Sequence, residues 1–338
     1  MTESGISSAP AKFTHSALLY REPGQYVSAV SDFVRAAIKG NAPVFVAVPG
    51  ARLDALRQSL GRDLPPDSCA DMGELGRNPG RILSALLSFA ERHRGRSVHV
   101  VQELLWPGRS EAETLEAVRH EALTNTAFAG TPAGFLCPYD LGALSPAVVD
   151  RVRRTHPSLV MDGVVRPSDT YTDPLTVSAE CDRPLPEPSV VVPALVFGAG
   201  QTARAREYTE SWARGTALSA VRRGDLVLAV GEAIANSVAY GGGRGTLRIW
   251  TADGGTVVAE IKDGGRLLDP LAGRRRPHPA SAEGGRGLWM MHQLCDLVEI
   301  RSAETGLTLR LHVALDTPAG SGPQWPGPGG PVPVDFRI

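Results

Sequence analysis

The sequence predicts an α/β protein with two folded domains, the first a parallel sheet covered by helices. Three observations carry this. Short apolar runs alternate with stretches of helical period through the first half of the chain. One of them, Pro43-Val-Phe-Val-Ala-Val48, is apolar without interruption, as a strand buried on both faces must be. A proline-rich stretch, RPLPEP at 183–188, then blocks both helix and central strand and divides the chain.

The elements follow in order. Ser16 to Tyr20 is a short apolar strand, and Tyr26, Val30, Phe33, Val34, Ala37 and Ile38 recur at helical spacing until Gly40 ends the helix. The run 43–48 is the next strand and Ala51 to Leu60 its helix. A helix from Pro79 to His93, a strand over Val98 to Val101, a helix from Ser110 to Ala127 and a strand at Phe135 to Cys137 continue the alternation. Repeated βα units with buried strands make a parallel sheet with helical cover. The resulting organisation is a disordered leader over 1–13, a first domain over 14–165, a Pro-rich linker over 166–192, a second domain over 193–316 and a disordered Pro/Gly-rich tail over 317–338. Trp325 and Phe336 make the tail a candidate docking segment, although a solvated tail is the favoured reading.

Composition narrows the function. With 338 residues, 42% hydrophobic content and a net charge of −1, the chain has material for two cores and lacks the net basic character of a nucleic-acid surface. No apolar run reaches 18 residues and the start MTESGISSAP has no signal-peptide pattern, so the expectation is a cytoplasmic protein bound neither to membrane nor directly to nucleic acid. Cys69, Cys137, Cys181 and Cys295 are far apart and form no CxxC pair, which suggests reduced thiols and gives no spacing for a zinc site.

Three segments carry chemistry. In the helix ending at Tyr240, for which Asp225 is the expected N-cap, Glu232 and Asn236 stand four apart and project from one face. One could handle a proton and the other a metal-bound phosphate, although such a pair is also common on solvated faces. The strand Val257 to Lys262 ends in Asp263-Gly264-Gly265, where a carboxylate can accept from an exocyclic amine such as that of adenine and glycine admits a ring; a plain β-turn is the alternative. Gly284-Gly285-Arg286-Gly287 opens directly into an apolar-periodic helix, a setting in which free backbone N–H groups bind phosphate. No Walker A sequence occurs in the chain.

In this order the segments AVGEAIANSVAYGGG, IKDGGRLLDP and GGRGLWMMHQLCDLVEI resemble the GHKL superfamily of ATPases, and most of all its bacterial anti-sigma-factor serine kinase branch. The resemblance implies an α+β two-layer sandwich that binds ATP and magnesium. It assigns Glu232 as general base, Asn236 as holder of the magnesium ion that bridges the phosphates, Asp263 as reader of the adenine amine and Gly265 as packing against the base. Gly285 and Gly287 would wrap the phosphates, residues 266–283 would form a lid, and Arg286 or one of Arg274, Arg275 and Arg276 would meet the γ-phosphate. Leu267 stands where the family has its second glycine, a departure that bears on lid closure and turnover more than on binding. The implied partners are a sigma factor and a STAS-type antagonist that receives the phosphate on serine, with a homodimer left open.

Thr14 to Tyr20, Asp71 to Pro79, Leu105 to Arg109 and Cys137-Pro-Tyr-Asp140 together resemble the MEDS sensory domain. That likeness implies a RecA-like core without a phosphate loop that senses a small molecule. On the residues alone, His15, Glu103, Trp106, Arg109, His120 and Asp140 could line a pocket at the carboxyl edge of the sheet or be structural, and metal coordination there has no support from spacing. Two readings other than a sensor-controlled serine kinase stay open. One is a nucleotide-gated binding module without phosphotransfer. The other is an atypical sensor histidine kinase, disfavoured because no helical hairpin presents an accepting histidine.

Overall fold

The computed structural model describes residues 12–252, 254–278 and 285–316. Most of the expected leader, all of the expected tail with Trp325 and Phe336, residues 279–283 of the expected lid and Gly284 lie outside the described residues. Two compact units are present among the described residues. One comprises residues 12–75 and Phe89–Pro174, the other Gly76–Ser88 and residues 175–316.

The first unit is built on a seven-stranded sheet. Its strands are β1 (Thr14–Tyr20), β2 (Val44–Val48), β3 (Cys69–Asp71), β4 (Val98–Gln102), β5 (Ala133–Asp140), β6 (Ser158–Met161) and β7 (Val164–Pro167), in the order β3-β2-β4-β5-β1-β6-β7. Every pairing is parallel except that of β6 with β7. The helices α1 (Pro23–Lys39), α2 (Gly50–Leu60), α3 (Met72–Leu75), α5 (Glu111–Ala127) and α6 (Pro146–Thr155) supply the crossovers. The apolar stripe read from the sequence is the buried face of α1: Tyr26, Val30, Val34 and Ala37 pack with Val46, Val48 and Leu56. The parallel class follows from β2, β4 and β5, which are almost continuously buried as a strand covered on both faces requires.

In the second unit β8 (Ala194–Gly198), β9 (Arg244–Ala252), β10 (Thr256–Asp263), β11 (Leu297–Ala303) and β12 (Gly306–Ala314) form an antiparallel sheet ordered β11-β12-β10-β9-β8. Helices α8 (Thr202–Ala213), α9 (Ala220–Tyr240) and α10 (Arg286–Leu294) pack on one face, where Leu226, Val230, Ala233 and Ile234 of α9 meet Val257, Ala259 and Ile261 of β10. The strand period puts Glu260 on the other face. There its carboxylate takes Arg248 Nη2 at 2.6 Å and Arg310 Nη2 at 2.8 Å.

Two local readings change. Helix α9 begins at Ala220 because Ser219 Oγ accepts from the N–H of Arg222; Asp225 lies inside the helix, 3.0 Å from Arg222 Nη1. The stretch read as linker holds the end of β7 and helix α7 (Pro174–Glu180), and its residues Arg183, Pro186 and Glu187 meet arginines of the second sheet. Arg310 Nη2 donates to Pro186 O at 2.6 Å, Arg301 Nε to Arg183 O at 3.1 Å, and Arg248 Nη1 pairs with Glu187 at 2.8 Å. Backbone carbonyls that no ladder uses are the acceptors these guanidinium groups need. The segment Gly76–Ser88 includes the start of α4 (Pro79–Arg92) and belongs to the second unit. Asn78 Nδ2 donates to the carbonyls of His292 and Cys295 at 3.1 and 3.2 Å, and Trp289 Nε1 donates to Ser84 Oγ at 3.0 Å.

Candidate functional site

A cavity of about 390 Å³ lies between α9, the start of α10 and strands β10, β11 and β12. Ile261, Ile300, Leu307, Leu309 and Leu288 give it apolar walls, and Asp263 is its acidic end. Volume and lining are those of a small-molecule site with few polar anchors. Of the site residues assigned in the sequence, Asn236, Asp263, Gly265 and Gly285 line the cavity, whereas Glu232, Arg286 and Gly287 do not.

Asp263 is held from both sides. Ser237 Oγ donates to its Oδ2 at 2.5 Å and the N–H of Gly265 donates to its Oδ1 at 2.7 Å. Gly241 and Gly265 have to be glycine here. A Cβ on Gly241 would overlap the carboxylate, and one on Gly265 would come within 2.9 Å of Asp263 Oδ1 and 3.0 Å of Gly241 Cα. The carboxylate is thereby fixed at the end of β10 with lone pairs still directed into the cavity.

Glu232 and Asn236 meet beside the cavity, which Asn236 lines and Glu232 does not. The four-residue spacing on α9 brings both to Gly287, where a Cβ would stand 3.2 Å from Glu232 Oε2 and 3.2 Å from Asn236 Nδ2. Gly287 lies in the first turn of α10, the end of a helix at which backbone N–H groups have no acceptor within the helix. Gly285 caps that helix at φ 104°, a left-handed conformation that glycine adopts without strain. Arg206 Nη2, on α8, lies 3.7 Å from Glu232 Oε1. Among the arginines considered for a γ-phosphate, Arg274 is buried whereas Arg275, Arg276 and Arg286 are exposed or half-buried. Leu267, in the place of the second glycine, lines the cavity and donates its N–H to Ser302 Oγ at 3.1 Å.

Residues 197–313 match the family model of the histidine kinase-like ATPase domain, and residues 14–157 match that of MEDS, the methanogen/methylotroph, DcmR sensory domain. The chain carries a MEDS domain followed by a histidine kinase-like ATPase domain. A solved structure, the crystal structure of the RsbU and RsbW domains of Rv1364c from Mycobacterium tuberculosis, is similar at 20% identity with a TM-score of 0.28. That match covers 38% of this chain and 34% of the other. No curated protein matches the chain. Among the described residues no helix is long and apolar enough to cross a membrane.

Within the ATPase domain the sequence pattern gave no weight to Ser237, Gly241 and Arg206. Ser237 and Gly241 follow the ExxxN segment and are visible as a serine beside Asn236 and the first of three glycines, but only the fold shows that both crowd Asp263. For Arg206 the sequence offers no signal, because its partner lies on the next helix.

In the MEDS domain the six residues considered for one pocket separate. Glu103 and Asp140 do meet at the carboxyl ends of adjacent strands β4 and β5, on either side of Arg52, at 3.0 and 3.5 Å. Trp106 and Arg109 form a cation–π pair at 3.8 Å. His120 is buried in α5, 3.3 Å from Gln102, and His15 lies in the first half of β1 against Phe135, away from that edge. Two carboxylates share one guanidinium, and burial with the nearby Asp140 outweighs the pull of Arg52, so the Glu103 carboxyl is pushed up to about 8. Below the unfolded value of 4.5 the group is protonated in both states; from there to about 8 the folded chain keeps a proton that the unfolded chain has lost. Its contribution to stability is therefore full at low pH and is lost as pH rises through about 8. Glu103→Gln keeps the neutral form at every pH, so it should flatten that part of the stability–pH curve and leave the variant more stable than the wild type above pH 8, by a few kcal/mol. Chemical denaturation of both proteins at a series of pH values measures it, and parallel curves would refute the assignment.

Proposed function

We propose that the chain is an ATP-dependent serine kinase of the anti-sigma-factor class, regulated by its MEDS domain. The observation that carries the reading is the convergence of Glu232 and Asn236 on Gly287, beside a cavity that Asn236 and Asp263 both line. The glycine cradle and the N-terminal end of α10 fit a polyphosphate, and the apolar walls with Asp263 fit an adenine. ATP with magnesium supplies the phosphoryl group and neutralises its charge. Asn236 would hold the metal–phosphate end, Asp263 would accept from the exocyclic amine, and Glu232 would take the proton from an attacking serine hydroxyl. Arg286, Arg275 or Arg276, none of them buried, would pair with the terminal phosphate.

The partners proposed are a sigma factor, which the kinase would sequester, and a STAS-type antagonist that it would phosphorylate. Control by the MEDS domain is supported by Gly76–Ser88, which lies within the MEDS match yet belongs to the ATPase unit, where Asn78 holds the carbonyls at the end of α10. The second reading, a nucleotide-gated binding module, is favoured by Leu267 in place of a lid glycine. One assay separates the two. Incubation with labelled ATP and candidate STAS-type proteins should place label on a serine of the antagonist; binding of the antagonist with no label transferred would favour the module.

A further inference from the structure

Four buried side chains from separate elements of the first unit meet at one point: His15 on β1, Glu121 on α5, Cys137 on β5 and His156 just after α6. Each offers one ligand atom, and these atoms all lie within 4.8 Å of one another. The distances from His15 Nε2 are 3.2 Å to Glu121 Oε2 and 3.3 Å to Cys137 Sγ. Those from Glu121 Oε2 are 3.7 Å to His156 Nε2 and 3.8 Å to Cys137 Sγ. Zinc bonds of about 2.0–2.3 Å at tetrahedral angles place ligand atoms about 3.3–3.8 Å apart, close to these four separations, and the remaining pairs, His156 with His15 and with Cys137, lie within 4.8 Å.

The surrounding hydrogen bonds fix which nitrogen faces inward. Asn125 Nδ2 donates to the carbonyls of Glu121, Ala122 and Thr155, so its Oδ1 is the end that faces His15, and His15 Nδ1–H donates to it at 3.1 Å. His156 Nδ1–H donates to Val152 O at 2.8 Å. In the neutral ring each Nε2 then bears a lone pair and faces the carboxylate; the donors within reach are the Cys137 thiol, 3.3 Å from His15 Nε2, and the Tyr139 hydroxyl, 3.4 Å from His156 Nε2. Glu121 is itself aimed by Gln102 Nε2, which donates to Oε2 at 3.0 Å, and by Tyr139 OH, which donates to Oε1 at 2.6 Å. Histidines oriented through Nδ1 and a carboxylate oriented by donors are the outer shell that metal ligands have.

We propose that His15, Glu121, Cys137 and His156 bind a divalent transition metal of the zinc type, four-coordinate and closed. Binding deprotonates the Cys137 thiol and releases that proton to solvent, leaving an N₂OS ligand set with no change of oxidation state. A closed shell of four protein ligands is structural, and it ties β1, β5, α5 and the end of α6 together.

The test uses the full chain, expressed with zinc in the medium, dialysed and assayed for metal by mass spectrometry. One zinc per chain is expected, and X-ray absorption should show one sulfur with three nitrogen or oxygen neighbours. Cobalt in place of zinc should give the visible bands of a tetrahedral site together with a thiolate charge-transfer band. Cys137→Ser should abolish that band, and Cys137→Ser with His156→Gln should reduce retained metal at least tenfold. Folded chain that takes up neither zinc nor cobalt would overturn the proposal. A bound metal without sulfur in its shell would overturn it too, and that measurement on the wild-type chain decides the matter even where a variant does not fold.

Discussion

Glu232→Gln is expected to leave Mg-ATP affinity unchanged while lowering the rate of phosphotransfer about 10²- to 10⁴-fold, the usual worth of a positioned general base. Glutamine keeps the shape of the side chain, and the replaced group is 28% exposed, so no core packing is lost. Its neighbours also remain: Asn236 on the same helix face, Gly287 opposite and Arg206 at 3.7 Å. What disappears is the carboxylate proposed to take the serine proton. Single-turnover transfer to the antagonist, measured with saturating ATP, reads the chemical step apart from binding. An unchanged rate would remove Glu232 from that role and leave Asn236 and the glycines as a binding site only.

Asp263→Asn is expected to weaken ATP binding by about 1.5–3 kcal/mol, the range for a hydrogen bond to a charged group. At one decade per 1.4 kcal/mol this is about 10- to 150-fold in Kd. The surroundings decide how the asparagine sits. Gly265 presents an N–H at 2.7 Å and cannot accept, whereas the Ser237 hydroxyl at 2.5 Å can reverse its role. Asparagine would therefore keep its oxygen on Gly265 and turn its NH₂ toward Ser237 and the cavity, where an adenine amine would meet a donor. GTP, which presents a carbonyl at that position, should bind the wild type poorly and the variant relatively better. Equal ATP affinities in the two proteins would contradict the placement of adenine at Asp263.

Both effects rest on residues that the sequence singles out, and the reason is local. ExxxN on a helix, an acid followed by two glycines at the end of a strand, and a glycine cluster before a helix each encode a geometry within a few residues of themselves. The parallel sheet was legible because β2, β4 and β5 are buried on both faces and so read as apolar runs. Contacts that close only in three dimensions were not. Nothing near Asn78 in sequence announces that its amide serves the carbonyls of His292 and Cys295. His15 and His156 are far apart in sequence, and no spacing rule joins them to Glu121 and Cys137. The helix start was ambiguous for another reason. Ser219 and Asp225 are both good capping residues, and the choice fell to the one whose side chain accepts from the N–H three residues on, while Asp225 was taken by Arg222.

The measurement that tests the central claim most directly is a calorimetric titration of the full chain with ATP, with and without magnesium, on wild type and Asn236→Ala. Saturable binding of one ATP per chain is expected, strengthened by magnesium in the wild type and indifferent to it in the variant. No binding of ATP by the folded wild-type chain, or an equal gain from magnesium in both proteins, would contradict the account.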